Sequence, residues 1–90
     1  MRRGMRFVYV VWGPSPEWGD GVGVLGYSTS LRGAQAILRQ ERADEREYGP
    51  RSWRSIEDCG TIERVPAQDL GWLGDEPLYL FVQRLNESLA

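Results

Sequence analysis

The run "RFVYVVW", Arg6 to Trp12, constrains this chain more than any other stretch. It is dense in β-branched and aromatic residues, so it reads as a strand, with Val8 and Val10 on one face and Phe7, Tyr9 and Val11 on the other. A strand that alternates apolar and polar residues can lie with one face in water; this one is apolar on both. It therefore belongs in the centre of a sheet. A chain of 90 residues supports only one small core, so the expectation is a single domain, residues 1–90, with 1–5 and 86–90 frayed.

The remaining segments arrange themselves around that strand. "GPSPEWGD", Gly13 to Asp20, holds two prolines and two glycines and reads as a loop carrying Trp18. "VGVLGYS" alternates as a second strand, with glycines thinning it. "STSLRGAQAILRQERADEREYG" is the clear helix, opened by Ser28, Thr29 or Ser30 as cap and closed before Gly49-Pro50. Its arc of Leu31, Ala34, Ile37 and Leu38 faces the sheet, while Arg39 to Glu47 extends beyond it as a solvated or partner-facing surface of mixed sign. Glu41 falls inside the same arc. Arg51 to Val65 carries one or two short strands, with Ile62 and Val65 buried and Asp58 to Gly60 as a turn. "PAQDLGWLGDEP" reads as a loop whose Leu70, Trp72 and Leu73 pack back on the domain, and "LYLFVQRL", Leu78 to Leu85, as the last strand. The expected fold class is α+β: a small, mainly antiparallel sheet in the order β-β-α-β-β, with one helix packed on one face.

Composition narrows the chemistry. All 11 basic residues are arginine, there is no histidine, and 13 acidic residues bring the net charge to -2. Without histidine the commonest general base and metal ligand are gone, and without lysine so is the Schiff-base amine. The expectation is a chain that is not an enzyme, with no cofactor and no metal. The near-neutral charge argues against direct nucleic-acid binding. Cys59 stands alone, which suits a reducing compartment. Phe7 to Trp12 is too short for the apolar region of a signal peptide, and no window reaches the length of a membrane span. A cytoplasmic location, away from any membrane, follows as an expectation.

"FVYVVWG", the glycine-containing strand into "YSTS", the helix with "AQAI" and the strand "TIERV" together resemble a loose group of small bacterial and phage domains that open on a Val-Tyr-Val strand. The resemblance covers residues 6–65 and implies topology, with no catalytic residue to carry over. Gly33, Gln40 and the tryptophans depart from its pattern. Its phage-like character implies an inhibitor of a bacterial defence system, of the anti-CRISPR kind.

Two motifs need weighing. "GVGVLG", Gly21 to Gly26, spells GxGxxG, but a dinucleotide loop needs a strand directly before it and a helix opening within it. Here the valines between the glycines continue a strand instead. "RSWRS", Arg51 to Ser55, sets an aromatic between two arginines, a pair of residue types enriched at the energetic centres of protein interfaces. Candidate partner-binding residues are therefore Trp18, Arg51, Trp53 and Arg54, with Glu41 and Glu45 on the helix extension as a complementary acidic patch. The expected function is that of a non-enzymatic protein-binding module that blocks a larger bacterial protein or ribonucleoprotein complex, and a second copy of the chain is a further candidate partner. The alternative is a module that binds and sequesters a nucleotide or cyclic nucleotide on the same aromatic and arginines. "EDC", Glu57 to Cys59, sets an acid beside a thiol, but without histidine or lysine to make the thiolate a buried or semi-buried structural cysteine is the expectation.

Overall fold

A computed structural model describes residues 7–17, 19–73 and 75–89, with the side chains of 72, 73, 76, 79 and 85–89 outside that description. The elements follow as β1 (Phe7–Pro14), β2 (Val22–Ser28), α1 (Leu31–Tyr48), α2 (Ile56–Cys59), β3 (Thr61–Pro66), a 3-10 turn (Ala67–Leu70), β4 (Trp72–Leu73), β5 (Glu76–Pro77) and α3 (Leu78–Leu89). β1 is the centre of a three-stranded antiparallel sheet, β2-β1-β3, as its two apolar faces require. β4 and β5 form a separate two-stranded ribbon.

The register explains how both faces of β1 are covered. Val11 pairs with Ile62 and Gly26, and on that face Val11, Ala34, Leu38 and Ile56 form one core cluster, with Tyr9, Leu25, Ile37 and Ile62 packed around it. Val8, Ala67 and Val82 form the other cluster on the opposite face, joined by Tyr27, Leu70 and Leu78. So α1 covers one side and α3 the other. Val8, Val11 and Val82 are fully buried, and each contributes roughly 1.5–3 kcal/mol of hydrophobic stabilisation. A bulge between Val11 and Trp12 places Leu25 as the extra residue of β2, which lets Leu25 and Gly26 both face α1.

α1 is built from strong helix formers and is bounded by its own signals. Of the three capping candidates Ser30 is the one used: its Oγ accepts from the Gly33 amide at 3.0 Å. The helix stops at Gly49, with φ 88°, whose amide returns to the Glu45 carbonyl at 2.8 Å. Gly33 brings the first turn against Ser28, since a Cβ there would collide with the buried Ser28 Oγ.

Some expectations are corrected. Leu78 to Leu85 is not a strand but the first part of α3, which runs on to Leu89. Leu78 and Val82 sit one helical turn apart and both reach the Val8 face; that uncovered face of β1 overrides the strand-like local composition. The sheet consequently has three strands, and the single helix on one face becomes two helices on two faces. Of the one or two strands expected between Arg51 and Val65 there is one, β3, and the turn expected at Asp58 to Gly60 belongs to a helical turn, Ile56 to Cys59, capped by Ser55, whose Oγ accepts from the Glu57 amide at 3.2 Å. Ile56 is the buried residue of this segment, and Ile62 and Val65 are half-buried because β3 is an edge. Leu70 packs back on the domain as expected; the side chains of Trp72 and Leu73, like residues 1–5 and Ala90, lie outside the described residues. Among the described residues, no helix is long and apolar enough to cross a membrane.

Candidate binding surface

The second half of α1 has no apolar face left, and its inner stripe does different work. Continuing the line Ala34, Leu38, Glu41 along the helix leads to Glu45, which faces the segment 51–56. The Glu45 carboxylate accepts from the Ser55 hydroxyl at 2.7 Å and from the Ile56 amide at 2.8 Å, so it ties the start of α2 to α1. Glu41, with 16% of its side chain exposed, pairs with Arg51 at 3.3 Å. Asp44 accepts from the Gln40 side-chain amide at 2.9 Å. On the outer flank Arg42 pairs with Glu57 at 3.6 Å. The extension is thus solvated on its outside and engaged with the chain itself on its inside.

These ties place the aromatic of "RSWRS". The Ser52 hydroxyl donates to the Gly21 carbonyl at 3.1 Å and accepts from the Arg54 amide at 3.1 Å, closing the loop onto the turn before β2. Gly21 has φ 75°, and a Cβ there would lie 2.8 Å from Trp53 Nε1 and 3.1 Å from Arg54 Cγ. Only glycine allows both that backbone and the close approach of the indole. The Arg54 guanidinium lies 5.4 Å from the Trp53 ring centroid, in cation-π range. Trp53 nonetheless remains 74% exposed. It is a fixed side chain with its face in water.

Tyr48, 78% exposed at the end of α1, is a second exposed large aromatic, and it lines a cavity together with Arg51. Sequence reasoning did not single it out, although it continues the inner stripe of α1 past Glu41 and Glu45, and a large aromatic there beyond the sheet was the available signal. Between helix and loop lies a cavity of about 300 Å³, lined by Glu41, Asp44, Glu45, Tyr48, Arg51 and Ile56 among others. The structure therefore brings Arg51, Trp53, Arg54, Glu41 and Glu45 into one region, with the two glutamates inside it as fasteners. Trp18 lies outside the described residues.

Burial pushes the Cys59 thiol above its ordinary range, with Arg54 opposing and Asp58 and Glu45 reinforcing the rise; its Sγ donates to the Ser55 carbonyl at 3.3 Å. Such a thiol is a poor nucleophile at neutral pH. "GVGVLG" runs from the turn residue Gly21 into β2, and α1 begins only at Leu31, so no helix N-terminus opens within the glycines. Among the described residues, no group of three or more histidine, cysteine, aspartate or glutamate side chains is placed to hold a metal ion. A larger cavity, about 540 Å³, lies over the opposite face of the sheet beside Trp12, Ser15, Glu17, Asp20, Val22 and Val24.

No protein-family description, curated protein or solved structure matches this chain.

Proposed function

We propose that this chain is a non-enzymatic protein-binding module that docks on a larger partner through Trp53, framed by Arg51, Arg54 and Tyr48. One observation carries the reading: a 74% exposed tryptophan held in place by a glycine beneath it and a guanidinium beside it. An exposed indole in water is costly unless something covers it, and tryptophan with arginine dominates interface energetics. Because the side chain is already fixed, less rotamer entropy is lost on binding.

Within that class, steric inhibition of a bacterial defence complex in the cytoplasm, of the anti-CRISPR kind, is the form that the phage-like resemblance implies. A rigid patch on a 90-residue domain suits such a role, since blocking needs occupancy and no reaction. The nucleotide alternative has less support: the cavity beside Arg51 is lined by three carboxylates, Glu41, Asp44 and Glu45, which repel a phosphate.

The test is quantitative affinity capture from a bacterial lysate with nuclease present, comparing the wild-type chain with Trp53→Ala and with Arg39→Ala, an exposed change outside the patch. The reading expects a stoichiometric protein captured by wild type and Arg39→Ala and depleted with Trp53→Ala. Equal capture by all three, with the fold intact, overturns the patch.

A further inference from the structure

We propose that the free edge of β2 receives an extended, basic segment of the partner protein, which adds to the sheet as a further strand. This rests on the reading that the chain binds another protein, and it names how part of that partner is held.

The two edges of the sheet differ. β3 carries Glu63 and Arg64 and ends on Pro66, features by which natural edge strands discourage pairing. β2, Val22–Ser28, has no charged residue and no proline, and among the described residues β1 is its sole strand partner. Such an edge is a template for another strand.

The face beside that edge is also open at one end. Val8, packed against Val82 of α3, and Val10 are buried, but Val24, paired with Trp12, is 40% exposed. Trp12, Val22 and Val24 floor the cavity of about 540 Å³, and Glu17 and Asp20 stand at its rim. Glu63 lies on the same face, where it accepts from the Trp12 indole at 3.1 Å. An added strand projects alternate side chains over this floor. The floor takes an apolar side chain, and the carboxylates select lysine or arginine next to it. The bulge bends the strand after Val24, so the contact is placed against Val22 and Val24. A second copy of β2 fits poorly, because it brings no basic residue to the rim.

The experiment selects displayed random 12-residue peptides on the whole chain and maps a synthetic binder by amide chemical-shift perturbation. The expected peptides carry a β-branched or aromatic residue with lysine or arginine two positions away, on the same face of the strand, and their shifts cluster at Val22 to Ser28. Val24→Lys, at an exposed position, is expected to weaken binding at least about tenfold by like-charge repulsion and loss of the apolar contact. Glu17→Gln with Asp20→Asn is expected to weaken it severalfold and flatten its salt dependence; the amide of the second change still offers an oxygen to the Val22 N–H, which Asp20 now holds at 3.1 Å. Trp53→Ala is expected to leave peptide affinity within twofold. Peptides without basic enrichment, or no enriched peptide, overturn the proposal. So does self-association of the chain through β2, seen as a dimer that Val24→Lys dissociates. Shifts confined to residues 48–54 and lost with Trp53→Ala overturn it while leaving the Trp53 surface standing.

Discussion

Replacing Glu45 with alanine removes the fastener between α1 and the loop that presents Trp53. The carboxylate accepts two hydrogen bonds, at 2.7 Å from Ser55 and 2.8 Å from the Ile56 amide. Hydrogen bonds to charged groups contribute about 1.5–3 kcal/mol net. Two bonds on one half-buried carboxylate are not additive, and alanine returns a few tenths of a kcal/mol through helix propensity. The expected loss is therefore about 2–3 kcal/mol, a large share of the stability of a small domain. With a urea slope of about 1–3 kcal/mol/M, the denaturation midpoint falls by about 0.7–3 M with the slope unchanged. Glu47→Ala, two residues on at an exposed position, is the control and is expected within about 0.5 kcal/mol of wild type. In the folded Glu45→Ala chain, the amide resonances of Ser52 to Asp58 and the Trp53 indole resonance shift. A Glu45→Ala chain as stable as wild type, with those resonances in place, refutes the account of how the loop is held.

Three further outcomes follow from the same geometry. Gly33→Ala should destabilise by about 1–2 kcal/mol in thermal or urea melts, because the crowding against buried Ser28 exceeds the helix-propensity gain of about 1 kcal/mol; a more stable variant contradicts the close approach. Gly21→Ala forces a side chain to φ 75° under the indole, at a cost of about 1–3 kcal/mol, and should weaken partner binding without altering Trp53 itself; an unmoved indole resonance speaks against it. Cys59 should react with iodoacetamide more slowly in the native than in the urea-unfolded chain. Its folded pKa is raised by burial, so the stability this contributes is present at neutral pH and is lost as pH rises through the ordinary thiol range toward the folded value. Equal native and unfolded alkylation rates sink that argument.

Much of the fold is legible locally. β1 is placed by its own two apolar faces, and α1 by its propensity and by Ser30 and Gly49 at its ends. α3 escapes such a reading because Leu, Tyr, Phe and Val dominate its first turns, and only the Val8 and Ala67 contacts of Leu78 and Val82 decide for helix. α2 escapes it because its four residues are held by Glu45, eleven positions before Ile56. The same applies to the site. Trp53 between two arginines is visible in the chain, whereas the Gly21 floor beneath it and the inward role of Glu41 and Glu45 arise from contacts between distant segments. The open floor of Trp12, Val22 and Val24 depends on which half of the sheet α3 leaves uncovered, and that is set by tertiary packing.

The most direct test of the Trp53 surface is the dissociation constant of the captured partner, measured calorimetrically with purified wild-type and Trp53→Ala chains. A central interface tryptophan costs 2 kcal/mol or more when truncated, so the account predicts a loss of about 30-fold or more at unchanged thermal stability. An affinity within twofold of wild type contradicts it.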